Sequence, residues 1–264
     1  MTSKSTKPLK IDIPAVDGFP LHAHAWVHEV VNGDELPPVV IINPATSVQS
    51  RYYSRFAEFL YTHGFNVITY DYRGIGGSRP ENMRGFQANW RDWGSKDFEG
   101  VLKFASTCFK GHDILVAAHS VGGFLVGMAP SNQVIKRVFT MGSQFAYWRD
   151  YAKHKRFAMY LRWHIVMPTL TAIFGYFPGK RLGWLEDTPS GVVRDWISPE
   201  PCFEDIYKSG PQTLSDEERA KLVESFAQVT APTLAVSMSD DEFGTIPAIH
   251  RLLSYFKSSP STHM

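Results

Sequence analysis

The sequence predicts an α/β fold: a mostly parallel central sheet with helices on both faces and a helical insertion late in the chain. Three observations predict it. Short apolar runs alternate with helical patterns through the first half, the run at 114–118 drives into a serine followed by Gly-Gly, and the alternation breaks over 143–229 before it resumes. The 264 residues are 44% hydrophobic and 14% aromatic, enough to bury one large core. Lys and Arg number 27 against 26 acidic residues, so no global field recruits nucleic acid or an anionic membrane.

In chain order, residues 21–28 (LHAHAWVH) alternate, with Leu21, Ala23, Ala25 and Val27 on one face and His22, His24, Trp26 and His28 on the other, as in a half-buried strand. Histidines on one strand face can hold a metal, but no carboxylate or cysteine is spaced to complete a shell, and no metal is expected. Residues 39–43 (VVIIN) form a continuous apolar run, the mark of a strand covered on both faces. A helical pattern over 50–63 ends at Gly64, and 65–71 is the next strand. A helix over 90–109 leads to a strand at 113–118, a helix from Gly122 and a short strand at 138–142. Such alternation argues right-handed crossovers and a parallel core.

Residues 1–142 and 230–264 are therefore assigned to the core. Residues 143–229, rich in Trp and without strand rhythm, are assigned to a helical cap over the carboxyl edge, where open α/β sheets bind ligands. The apolar stretch 160–177 contains Arg162, His164 and Pro168 and is shorter than the ~20 apolar residues of a membrane span, so a buried or lid helix is expected. Cys108 and Cys202 form no redox or metal motif, and the amino-terminal MTSKSTKPLK lacks an apolar signal core; the expected setting is cytoplasmic and reduced.

The strand-turn-helix at Ser120 has the form of a nucleophile elbow. Its strained serine needs small residues two before and two after, here Ala118 and Gly122. A plain strand-to-helix turn is the bland alternative. His119, in the variable position, is expected to point away from the Ser120 hydroxyl and not to be the base. Acyl transfer also needs two oxyanion donors: the Val121 N–H, and one after the strand at 39–43, where Pro44 has no N–H and Ala45 is the first choice, with Thr46 as the neighbouring register. The acid should follow a late strand, and 237–242 (SMSDDE) offers Asp241, with Asp240 as the fallback. GIGGS at 74–78 is not a dinucleotide fingerprint, and the basic run at 153–156 reads as a solvated face.

Together the strand with its NPAT loop, the DYRGIGGS segment at 71–78, the AHSVGG elbow and the SMSDDE loop resemble the α/β-hydrolase family of serine hydrolases. The YDYRGIGGSRP segment is most similar to a bacterial branch of predicted hydrolases. The resemblance implies no cofactor and a small-molecule ester or related acyl substrate. It also implies a catalytic histidine after one further helix and strand. Beyond Asp241 the chain offers only His250, on the expected helix, and His263, where the last strand should begin. No histidine stands where the resemblance places the base: His263 is the candidate, in a final strand that is a stub or missing and from which it would face the wrong part of the sheet; a base lying beyond Met264, or a non-catalytic protein that binds a small apolar ligand, are the alternatives. An uncovered edge strand would favour a homo-oligomer.

Overall fold

In a computed structural model, which describes residues 7–30 and 35–264, eight strands form one sheet. They are β1 (Leu9–Pro14), β2 (Pro20–Trp26), β3 (Val39–Asn43), β4 (Asn66–Tyr70), β5 (Ile114–His119), β6 (Ile135–Met141), β7 (Thr233–Val236) and β8 (Ser261–His263). Their spatial order is β1-β2-β4-β3-β5-β6-β7-β8. The β1/β2 and β2/β4 pairs are antiparallel and every later pair is parallel, so the expected mostly parallel α/β sheet is present. All residues of β3 and β4 are buried, which their continuous apolar runs require of central strands covered on both faces.

Helices α1 (Ser54–Thr62), α2 (Glu99–Cys108) and α3 (Val121–Met128) belong to the first half. A capping box between Asn89 and Asp92 starts the turns that run through a wider π-type segment, Trp93–Phe98, into α2. The hydrophobic, glycine-rich α3 is buried along its whole length. On its side of the sheet lies the larger apolar cluster, where Phe124 meets the rings of Trp90, Phe203 and Phe226. A smaller cluster under α1 takes in Val40, Ile42 and Ala117.

Between β6 and β7 the chain forms α4 (Arg156–Leu161) and α5 (Met167–Phe174), joined through a π-type turn at Arg162–Val166. Two short paired strands (Tyr176–Phe177 and Thr188–Pro189), α6 (Ser190–Trp196) and α7 (Asp216–Ala227) follow; α8 (Ile246–Leu253) lies between β7 and β8. The α4–α5 stretch buries Trp163 and Met167 while Phe157, Ile165 and Ile173 face out. Among the described residues no helix is long and apolar enough to cross a membrane.

The last strand, read as a stub or missing, is a three-residue stub paired parallel with β7. Two expectations change on the second strand. Trp26, expected on the wetter face of its strand, is 2% exposed because it packs in the cluster under α1. His28 falls outside β2 and stacks on Tyr61 at 4.2 Å, away from the His22–His24 contact.

The segment after β4 is held by buried charge. Arg73 donates through Nε to Asp97 at 2.6 Å and through both terminal nitrogens to Asp17 at 2.8 Å, and the Trp93 indole donates to the Arg73 carbonyl. Arg73→Gln would leave Asp97, which is fully buried, without its cation. The expected loss is about 3–5 kcal/mol, read as a lower urea midpoint at unchanged m-value. The same guanidinium holds the Asp17 carboxyl well below the usual carboxylate range. A depressed folded-state value makes this contribution present above the unfolded carboxylate value of ~3.9 and lost as pH falls through the folded one. Asp17→Asn should therefore flatten the acid limb of the stability–pH profile below about pH 4.

Candidate active site

Ser120, between the end of β5 and the first turn of α3, has φ +52° and ψ −124°, a conformation that residues with a side chain rarely adopt. What imposes it is the close approach of α3 to β3. A Cβ on Gly122 would lie 2.4 Å from the Asn43 carbonyl oxygen, so only glycine lets the first helical turn sit there. Asn43 then donates to the Gly122 carbonyl at 3.2 Å and accepts from the Tyr70 hydroxyl at 2.9 Å. The Ser120 N–H donates to the Met141 carbonyl at 3.0 Å, tying the turn to β6. Val121 is the first residue of α3, where an N–H has no intrahelical acceptor.

A cavity of about 350 Å³ opens over this turn. Its floor brings Ser120 together with Ala45, Thr46, His119 and Asp241. Its walls are Trp163, Met167, Phe177, Trp184, Trp196 and Phe243, with Arg162 the one cation among the lining residues. Five of those six wall residues come from the segment between β6 and β7 that the sequence marks by its tryptophans.

Asp241 is fixed by its own loop: Oδ1 accepts from the N–H groups of Phe243 at 2.8 Å and Gly244 at 2.9 Å. Oδ2 lies where a Cβ on Gly142 would come within 2.7 Å, and Gly142 itself has φ +56°, so a side chain there would meet both strain and the carboxylate. Asp240 is exposed, and Glu242 pairs with Lys155 at 3.4 Å, which leaves Asp241 as the carboxylate of the three that lines the cavity.

The histidines are arranged differently from the expectation. His263 does not line the cavity; its ring lies 3.1 Å from His250 Nε2 through Nδ1 and 3.1 Å from Ser237 Oγ through Nε2. His119 does line it, and Nδ1 is 2.9 Å from the Tyr53 hydroxyl. Burial pushes the His119 imidazole below its ordinary value, opposed by the charge of Asp241. The same Tyr53 oxygen accepts the Ala45 N–H at 2.9 Å, so the first-choice second oxyanion donor is already engaged; Thr46 lines the cavity beside it. Among the described residues no hydrogen bond joins Ser120 Oγ to a histidine.

Tyr53 and Arg162 were not legible as site residues. Tyr53 stands in an aromatic turn that leads into α1, and nothing in SRYYSRF separates it from a core aromatic. His119 carried a signal in strand parity: Ala118 faces the α3 side, so His119 must face α1, where Tyr53 stands. Asp71, the first residue of DYRGIGGS, serves the loops: it accepts from the N–H groups of Ser50 at 2.6 Å and Gly77 at 2.8 Å.

The backbone strain at Ser120 gives a stability prediction that is independent of catalysis. Ser120→Gly should be more stable than Ser120→Ala by about 1 kcal/mol or more, since glycine alone adopts this φ freely; paired thermal melts would show it.

Comparison with known proteins places this geometry. No curated protein sequence matches the chain. Among solved structures, a soluble variant of monoglyceride lipase from Saccharomyces cerevisiae, in complex with a substrate analogue, superposes with TM-score 0.62 at 15% identity, over 100% of this chain and 86% of that one. A puromycin-hydrolysing peptidase from Mycobacterium tuberculosis gives 0.59 at 18% identity over 97% of this chain, which spans 35% of the peptidase. An esterase of Pyrococcus furiosus gives 0.58 at 14% identity, over 97% of this chain and 80% of that one. At these identities the likeness is one of fold. The family described as Serine aminopeptidase, S33 matches residues 36–258, and with most of its length inside that match the chain belongs to this family of α/β-hydrolases.

Proposed function

We propose that the chain is a serine hydrolase acting on a small ester or related acyl compound, with residues 143–229 as the cap that shapes its acyl pocket. The observation that carries the reading is the conformation of Ser120, strained to φ +52° at the floor of an aromatic-walled cavity that also holds a carboxylate. Strain of this kind costs ~1–3 kcal/mol and persists where the surroundings over-determine it, typically at functional sites.

In this mechanism Ser120 Oγ attacks the substrate carbonyl and passes its proton to an imidazole. The oxyanion accepts from the Val121 N–H and from a second donor at Thr46, or at Ala45 once its N–H leaves the Tyr53 oxygen. An acyl-serine intermediate forms as the alcohol leaves with that proton, and water then reverses the sequence. Asp241 stabilises the imidazolium. For the base, the sequence order favours His263, whereas lining and charge favour His119, the histidine in the cavity with Ser120 and within the field of Asp241. The role requires the Nδ1–H tautomer: Nδ1–H donates to the Tyr53 oxygen, leaving Nε2 bare to accept a proton. Tyr53 would then orient the base.

A second reading has its own observation. With the Ala45 N–H taken by Tyr53 and no histidine bonded to Ser120, the cavity could bind a small apolar ligand without turnover.

Intact-mass detection of labelling by a neutral fluorophosphonate separates the two. Hydrolysis predicts a single adduct that disappears in Ser120→Ala and slows by roughly 10³-fold or more in His119→Ala, with His263→Ala close to wild type; absence of any adduct leaves the binding reading. The labelling rate should rise with pH through a transition below the ordinary histidine value, because burial disfavours the imidazolium. Asp241→Asn should slow labelling and also lower turnover of medium-chain esters. Faster turnover of short polar esters than of medium-chain ones would overturn the apolar acyl pocket.

A further inference from the structure

The aromatic cavity contains one charge for which neither the fold nor the proposed chemistry has a use. Arg162, in the turn between α4 and α5, lines the cavity with its guanidinium 4.8 Å from the centre of the Trp184 ring and 5.7 Å from that of Trp163. Several arginines that hold the fold together have a carboxylate: Arg73 with Asp17 and Asp97, Arg79 with Asp187, Arg251 with Asp150. Arg162 has none among the described residues, and no acceptor meets its side-chain N–H groups. Asp241, the one carboxylate lining the same cavity, is instead satisfied by the N–H groups of Phe243 and Gly244.

The physical consequence is an unpaired guanidinium available to an anion. A guanidinium set over indole rings at these distances keeps its rim of N–H donors free. Arg162 is itself exposed while it lines the cavity, so solvent and salt screen its attraction for an anion. A carboxylate meeting that fork gains two parallel charge-assisted hydrogen bonds. At about 350 Å³ the cavity is near the small end of ligand sites, room for a short hydrocarbon stem between the Ser120 floor and the Arg162 fork.

We infer that the substrate is an acyl ester carrying a terminal carboxylate, a monoester of a dicarboxylic acid, whose stem packs on Trp163 and Trp184 while Arg162 takes the distal anion. The inference rests on the hydrolase reading for its ester, and on geometry alone for its anion.

Two measurements keep those apart. First, the kcat/KM ratio for the 4-nitrophenyl monoester of hexanedioic acid over 4-nitrophenyl hexanoate is expected to favour the anionic ester by roughly two- to fivefold in the wild type. It should fall towards one in Arg162→Gln, recover in part in Arg162→Lys, and shrink with added salt. A ratio at or below one in the wild type, or one unchanged in Arg162→Gln, overturns the inference. Second, monomethyl hexanedioate should raise the melting temperature of Ser120→Ala, and the shift should be lost in Ser120→Ala/Arg162→Gln while methyl hexanoate gives no difference between the two. This arm needs no turnover: if no ester is hydrolysed but the shift behaves so, the anion site stands and the hydrolase reading falls. Equal shifts in both variants, or none, reject the anion site whatever the kinetics show.

Discussion

The approach of α3 to the end of β3 is the constraint on which the site depends. With no Cβ at position 122, the first turn of the helix settles on the Asn43 carbonyl, and the chain can meet that position from β5 only by turning sharply at Ser120. The turn forces a positive φ on a residue with a side chain, lifts that side chain above the carboxyl edge, and leaves the first N–H groups of α3 aimed at the same space. Asn43 consolidates the arrangement from below, bridging Tyr70 on β4 to Gly122. Buried apolar contacts on both faces of β3 and β4 hold the strands against which this strain is stored.

The segment between β6 and β7 is tied to that frame at points flanking the cavity. The Ser47 and Thr188 hydroxyls meet at 2.5 Å, and the Glu186 N–H donates to the Ser47 carbonyl at 3.0 Å, so the loop after β3 is bonded to the wall carrying Trp184. On the acid side, Asp150 takes two N–H groups of Arg251 on α8, and the Ala152 N–H donates to the Glu242 carbonyl next to Asp241. The walls are therefore coupled to the two loops that bring Ala45 and Asp241 to the floor, and a shift of the walls would be felt at both.

The architecture was legible because it rests on periodicity and sterics. VVIIN could only be a central strand, and an apolar run ending in A-H-S-V-G-G could hardly be anything but a sharp strand-to-helix turn. Asp241 was legible by register: it lies five residues beyond the end of β7, far enough for the loop to fold back over the sheet. What the sequence hid depends on tertiary placement. Tyr53 joins Ala45 to His119 across three separate elements, and no local pattern encodes that convergence. The length of β8 was ambiguous because three polar residues, Ser261 to His263, carry no apolar alternation; the strand forms by backbone pairing with β7.

The position of the imidazole follows from the same parity that builds the sheet. Successive residues of β5 face opposite sides, so Ala118 packs towards α3 while His119 is directed towards α1 and the Tyr53 hydroxyl. Were Ser120 to continue the strand, its side chain would return to the α3 side and the two groups would be separated by the sheet. The positive φ breaks the alternation at this residue, and Ser120 and His119 instead share one cavity at the carboxyl edge. His263, by contrast, sits opposite Ala235 with β7 and β6 between it and β5, and its ring is spent on His250 and Ser237. Strain at a single residue thus decides which histidine shares a solvent space with the serine, and the base of the proposed chemistry depends on that same turn.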